Sequence, residues 1–149
     1  MEDVFQKLIL MIRAYYPVLY LHSYEYYRTK QKIKGIVELL RREGKKVNYY
    51  QWDCVYGLVQ ILPDKTEKRI ERMQNPLEVL AYILNSKKSG EKNIFVLDDI
   101  NNHIDRDEVK LMFRKIAEAT NNNTHAIILS SIYRLPAELE KYITVLQIP

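Results

Sequence analysis

Apolar residues along this chain change their period several times, and the changes divide it into alternating helices and strands. Val4, Phe5, Leu8, Ile9 and Ile12 recur at helical spacing, which predicts an amphipathic helix near residues 3–15. It should end before Pro17, because the residue preceding a proline is pushed out of the α region. Val18 to His22 follows as a first strand. A long helix is predicted next, to about Glu43, with Ile33, Ile36, Val37 and Leu40 on one face and Gly44 as its C-terminal stop. Val47 to Trp52, aromatic and β-branched, is a second strand. Tyr56 to Pro63 is expected to form a short hairpin arm, and the charged stretch Asp64 to Arg72 a loop or surface helical turn.

Asn75-Pro76 then supplies a helix start, since asparagine caps free N–H groups and proline is pre-shaped for the first helical position. Leu77, Leu80, Ala81 and Leu84 carry that helix to about Asn85, and Ser86 to Lys92 turns the chain into a third strand, Ile94 to Leu97. Its unbroken apolar run is the kind buried on both faces of a parallel sheet. Asp105, with Glu108 three residues on, reads as the cap of a helix carrying Val109, Met112, Phe113, Ile116 and Ala117, ended by Asn121-Asn122-Asn123-Thr124. A fourth strand at Ala126 to Leu129, a short helix at Leu135 to Leu139 and a fifth strand at Ile143 to Ile148 complete the chain. Five strands separated by helices argue for one three-layer α/β/α domain over residues 1–149 with a mostly parallel sheet. Such sheets bind ligands beyond the carboxyl ends of their strands. Those ends are here His22 to Glu25, Asp98 to Asn101 and Ser130 to Arg134.

At 149 residues the chain is long enough to bury a core without staples, and its single cysteine, Cys54, excludes an internal disulfide or a multi-cysteine zinc site. The start, Met1-Glu2-Asp3, lacks the basic region of a signal peptide, and no apolar run reaches the roughly 18 residues of a membrane span. A cytoplasmic protein with no membrane partner is expected. The net charge of +4 is modest and its cations are spread, so attraction to polyanions is weak. Acidic residues gather instead at Asp98, Asp99, Asp105, Asp107 and Glu108.

Ile94-Phe95-Val96-Leu97-Asp98-Asp99 has the form of the magnesium-side strand of a P-loop nucleotidase, in which the first carboxylate holds Mg²⁺ and the next polarises the attacking water. Ser130 stands where such enzymes place a γ-phosphate sensor, and Ser23, Lys30 and Arg134 are further candidates for touching a nucleotide. The phosphate loop itself is missing. It needs glycines whose N–H groups wrap the phosphates, then a lysine and a Ser/Thr; the stretch after the first strand, Ser23 to Lys30, has no glycine. Tyr24, Tyr26 and Tyr27 would fill the space, and Lys30 reads more simply as a solvated helix-face side chain. His22, His103 and His125 are too scattered for a metal motif, and Cys54 reads as a partly buried small apolar residue.

The runs Tyr16 to Glu25, Asn75 to Leu80, Ile94 to Ile100 and Leu135 to Val145 together resemble the N-terminal, P-loop-lacking domain of Ycf46-type AAA+ ATPases, in order and over nearly the whole chain. The resemblance implies a degenerate P-loop ATPase fold with strand order 5-1-4-3-2, and a missing glycine loop as a family trait. It supplies no catalytic residues, since those belong to a second, complete AAA+ module.

Three functions follow. The first is a non-catalytic ATPase-like interaction or regulatory module without cofactors, pairing with an AAA+ module or with itself. The second is a weak nucleotide-binding protein or ATPase that would use Mg²⁺ and ATP at Asp98, Asp99 and Ser130 through a non-standard phosphate contact. The third is nucleic-acid binding through Lys30, Lys34, Arg41, Arg42, Lys45 and Lys46, with Tyr24, Tyr26, Tyr27, Tyr49, Tyr50, Trp52 and Tyr56 as stacking surfaces.

Overall fold

A computed structural model describes residues 2–86, 91–119 and 123–149. Lys87 and Lys88, in the expected turn before the third strand, and Asn121 and Asn122, in the expected helix end, lie outside the described residues. The elements run α1 (Glu2–Arg13), β1 (Val18–His22), α2 (Tyr26–Arg42), β2 (Val47–Asp53), β3 (Gly57–Ile61), β4 (Glu67–Arg69), α3 (Pro76–Ser86), β5 (Lys92–Asp98), α4 (Asp107–Glu118), β6 (Thr124–Ser130) and β7 (Thr144–Gln147). Short 3-10 turns occupy Ile100–His103 and Ala137–Leu139.

The sheet order is β4-β3-β2-β5-β6-β1-β7. Its parallel part, β2-β5-β6-β1-β7, is the expected 5-1-4-3-2 arrangement. The sheet nevertheless has seven strands rather than five, because β3 and β4 extend it antiparallel from β2. Asp53 Oδ1 accepts the Val55 and Tyr56 N–H groups at 2.9 and 2.7 Å and turns the chain tightly from β2 into β3. β4 is Glu67-Lys68-Arg69, exposed throughout, and is paired by its backbone to β3. A three-residue charged strand has no apolar alternation to reveal it, and its charge suits an edge that must not recruit further strands.

Alternation within each strand builds two cores. Leu19, Leu21, Ile94, Val96, Ile127 and Leu129 face α1 and α2, where they meet Leu8, Ile12, Ile33, Val37 and Leu40. Tyr20, Trp52, Phe95, Leu97 and Ile128 face α3 and α4, where they meet Val79, Leu80, Ile83, Val109, Phe113 and Ile116. Tyr50 stacks on Phe95 with ring centres 4.3 Å apart. Full burial of one such side chain contributes about 1.5–3 kcal/mol, so two continuous apolar layers hold the sheet from both sides.

The helix ends follow local chemistry with one exception. Asn75 Oδ1 accepts the Leu77 N–H at 2.9 Å and starts α3 as expected. Asp105 does not cap α4; the helix begins at Asp107 after Arg106, whose backbone is extended. The 3-10 turn with buried Ile100, followed by buried Ile104, takes up this part of the chain and moves the helix start on by one residue. Among the described residues, no helix is long and apolar enough to cross a membrane.

Gly44 (φ +88°) and Gly57 (φ +79°) both hold left-handed backbone, but only at Gly57 would a Cβ meet another backbone, Met73 N at 3.1 Å. Gly44→Ala is expected to cost about 1 kcal/mol, the left-handed penalty alone, and Gly57→Ala clearly more. Urea-denaturation midpoints of the two variants check this, and equal losses would refute the close packing of the hairpin turn on Met73.

Candidate functional site

The carboxyl edge of the parallel sheet is organised by the link between β1 and α2, only Ser23-Tyr24-Glu25. Ser23 N–H bonds the Ser130 carbonyl at 2.9 Å, continuing the β1–β6 pairing by one residue. Its buried Oγ accepts the Glu25 N–H at 3.1 Å and shares a 2.9 Å hydrogen bond with Thr29 Oγ1. The helix therefore starts directly against the sheet.

Tyr26 and Lys30 are one helical turn apart and share a face. They reach the two adjacent carboxylates at the end of β5. Tyr26 Oη donates to Asp99 Oδ1 at 2.5 Å, and the Lys30 ammonium pairs with Asp98 Oδ2. Ser130 Oγ also donates to Asp99 Oδ1, at 3.0 Å, while accepting the Ile132 N–H at 3.1 Å. Tyr26 Oη accepts the Ser131 N–H at 3.1 Å. Asp99 holds left-handed backbone (φ 56°), a conformation aspartate tolerates better than most residues, and its N–H bonds the Leu129 carbonyl at 2.9 Å.

A second tier supports the first. Tyr20 Oη donates to the Ile132 carbonyl at 2.6 Å and accepts from Asn101 Nδ2 and the Arg134 N–H, both at 3.0 Å. Arg134 is thus tied by its backbone while its side chain is exposed.

Lys30 is not a solvated helix-face lysine. Its side chain is 24 % exposed and that of Asp98 only 16 %. Burial raises the Asp98 pKa above the ordinary carboxylate value; Lys30 opposes the shift, and the nearby Asp53 and Asp99 carboxylates add to it. Asp98 Oδ1 is buried without a hydrogen-bond partner. Burial, and then the bond to Asp99, raise the Tyr26 phenol. Beside the ion pair lies a cleft of about 410 Å³ lined by Lys30, Asp53, Tyr56, Glu67, Arg69 and Asp98.

Of the three tyrosines expected to fill the phosphate space, only Tyr26 turns inward; Tyr24 and Tyr27 are 77 % and 78 % exposed. Tyr24 and Tyr133 flank the His22 ring, with centres 5.4 and 6.0 Å away, and Ile132 is exposed beside them. His22 Nδ1 meets Gln147 Oε1 at 2.6 Å and Nε2 meets the Ser131 carbonyl at 3.0 Å.

The expected basic stretch does not form one face. Lys30 belongs to the carboxylates, whereas Lys34 and Arg41 line a separate cleft of about 340 Å³ between α2 and β3. The Arg41 guanidinium bonds the Val47 and Ile61 carbonyls at 2.8 and 3.4 Å, and burial lowers its pKa. Arg42 is exposed at the end of α2, and Lys45 and Lys46 lie at the amino edge of the sheet. Asp107 and Glu108 are solvated, near Lys110 at 3.6 Å and Arg106 at 3.3 Å. Cys54 is exposed in the β2–β3 turn rather than partly buried, and His125 is fully buried within β6. Among the described residues, no group of three or more His, Cys, Asp or Glu side chains could hold a metal.

Comparison with known proteins agrees with this architecture. The pattern that defines the family described as SpoVK-like AAA ATPase, N-terminal domain, matches residues 4–148. The chain is 27 % identical over 142 residues to the uncharacterized AAA domain-containing protein ycf46 of Guillardia theta, covering 94 % of this chain and 26 % of that protein. The protein of the same name from Trieres chinensis is also 27 % identical over 142 residues, covering 95 % and 27 %. That from Pyropia yezoensis is 24 % identical over 145 residues, covering 97 % and 28 %. The chain thus spans about a quarter of the length of these curated relatives.

The Asp98 carboxyl is expected to titrate above a free aspartate, and further above it in Lys30→Met, because the ammonium is what holds it down. Carboxyl ¹³C shifts followed against pH read both values. Since the folded pKa is raised, the stability contributed by Asp98 is greatest below the unfolded value and falls as pH rises through the folded one. A wild-type value at or below the ordinary one would overturn the burial argument.

Proposed function

Because the chain belongs to the SpoVK-like AAA ATPase N-terminal domain family, we propose that it is a non-catalytic, ATPase-like interaction module of the cytoplasm whose carboxyl sheet edge meets protein in place of nucleotide. The observation that carries this reading is the capping of Asp99 by Tyr26 and of Asp98 by Lys30.

A magnesium–triphosphate does not fit these residues. The ammonium of Lys30 stands against the carboxylate that would face the metal, and the phenol and Ser130 hydroxyl engage the carboxylate that would polarise water. The three-residue link has no glycine to let backbone wrap phosphates, and Ser23 and Thr29 bond one another. No cofactor is therefore part of the proposal. The competing function, weak nucleotide binding at Asp98, Asp99 and Ser130, requires Tyr26 and Lys30 to be displaced together.

The same edge offers protein a suitable surface. Tyr24, Ile132 and Tyr133 are exposed around His22, over a loop fixed by backbone bonds to Tyr20 and Tyr26, and aromatic side chains on a rigid base are favoured interface anchors. An AAA module is the partner argued for, since the relatives are named for an AAA domain and extend well beyond the stretch matched here.

Two measurements test the proposal. With ~1 mM Mg·ATP, a Kd of about 100 μM would stabilise the fold by ~1.4 kcal/mol and raise the Tm by roughly 4–5 °C; no rise is expected. Tyr24→Ala/Tyr133→Ala should weaken, by roughly tenfold or more, the binding of a ycf46-type AAA module supplied in trans, with the variant's Tm unchanged. An ATP-dependent rise lost in Asp98→Asn, or unaltered association, would sink the reading.

A further inference from the structure

At the amino edge of the sheet, opposite the carboxylates, stands a second group of charges that the interaction module does not use. Lys92 opens β5 and is only 7 % exposed. Its Nζ donates to the Ile12 carbonyl at 3.1 Å, meets His125 Nε2 at 2.9 Å, and lies 5.1 Å from the centre of the Tyr15 ring. His125 Nδ1 is 2.6 Å from the Tyr16 carbonyl. Nδ1–H therefore donates to that carbonyl, and Nε2 is left as an acceptor for the ammonium. Every one of these contacts is to a neutral group.

Among the described residues, no carboxylate pairs with Lys92. Burial, followed by the nearby Lys45 charge, lowers its pKa to about 8, which leaves it mostly protonated at neutral pH. Lys92 lines a cavity of about 310 Å³ with Arg13, Tyr15, Lys45, Lys46 and Glu91. Arg13 pairs with Glu43 at 2.6 Å. Glu91 accepts Asn48 Nδ2 at 2.7 Å and stands 4.0 Å from Lys46. Among the described residues, four cationic side chains thus line one space against a single lining carboxylate. A buried ammonium without a counter-charge is unfavourable, and an anion entering this space would relieve it.

We propose that this cavity binds a phosphate-class oxyanion, carried by a small phosphorylated molecule, through Lys92 together with Arg13, Lys45 and Lys46. A carboxylate brings one charge, whereas a phosphate monoester brings nearly two and three strong acceptor oxygens, which matches several separated donors. The volume of this half-open cleft lies at the small end of ligand pockets. It suits a compact phosphoester better than the continuous track a nucleic-acid backbone needs. The site shares no residue with the carboxyl edge, so it stands or falls independently of the interaction surface there.

The test is calorimetric titration of the full chain at low ionic strength with pyrophosphate and, separately, with a short deoxythymidine oligomer, alongside amide NMR shifts. Saturable pyrophosphate binding is expected, with shifts at Tyr15, Lys45 and Lys92. Lys45→Gln/Lys46→Gln, both exposed positions, should weaken it by roughly tenfold or more, and Lys34→Gln, in the other cleft, should not. Lys92→Met is expected to abolish binding; if it unfolds, the exposed double variant decides. Pyrophosphate binding tighter than the oligomer supports the small-molecule source, whereas tighter oligomer binding lost in the same double variant assigns the phosphate to a nucleic-acid backbone. No saturable binding of either probe, or binding unchanged by Lys45→Gln/Lys46→Gln, overturns the site.

Discussion

The position of α2 depends on a very short link. Ser23 pairs with Ser130 as a last rung of the sheet and at the same time bonds Glu25 and Thr29 of the incoming helix. With Ser23 fixed, Tyr26 and Lys30 can only project over the ends of β5 and β6, and Ile33, Val37 and Leu40 can only meet Leu19, Leu21, Ile94 and Val96 beneath them. One constraint thereby sets the docking of the helix, the packing of one core layer and the closing of the carboxylate edge. A phosphate loop performs the opposite task, holding the helix N-terminus away from the strand so that ligand can enter between them.

Much of this was legible from the residue pattern because the parallel strands are buried on both faces. β1, β5 and β6 carry unbroken apolar runs, and the helix stripes around them are long enough to define a face. β4 was not legible, since three charged residues joined by backbone bonds leave no hydrophobic trace. The false cap at Asp105 has a similar origin: the capping box is a local signal, and the burial of Ile100 and Ile104 overrode it. At the site, the pair Asp98-Asp99 was identifiable but its partners were not, because they lie 68 and 73 residues away in sequence. The available clue was the spacing of Tyr26, Lys30, Ile33 and Val37, which puts a phenol and an ammonium on the buried stripe of α2. Asn101 and Tyr20, which fix the loop after β6, gave no signal that distinguished them from ordinary turn and core residues.

The two ends of the sheet resolve charge differently. At the carboxyl edge Asp98 and Asp99 each have a partner from within the chain, and among the described residues Asp98 Oδ1 is a buried carboxylate oxygen left without one. At the amino edge a buried ammonium is held by a carbonyl, an imidazole and an aromatic face. The first arrangement compensates only Asp98 with a charge, leaving Asp99 on neutral hydroxyl donors, while the second remains cationic. A nucleotidase ancestry would place ligand chemistry at the carboxyl edge. In this chain the buried cation without a counter-charge stands at the other end.

The Lys30–Asp98 pair is a poor candidate for a stabilising device. Desolvating two ions costs several kcal/mol, and a buried pair with an unsatisfied oxygen recovers less of that than a fully bonded one. Burial raising the Asp98 pKa against the pull of Lys30 is the same statement in proton terms. What the pair does supply is direction. An apolar contact could slide along the sheet edge, but an ammonium facing one carboxylate, with a phenol one turn away on the next, admits one rotation and one height for α2. That rotation carries Tyr27 outward, and the tie from Tyr26 to Ser131 holds the loop bearing Ile132 and Tyr133 beside the His22 ring. The carboxylates are thus fixed points that orient an exposed aromatic surface.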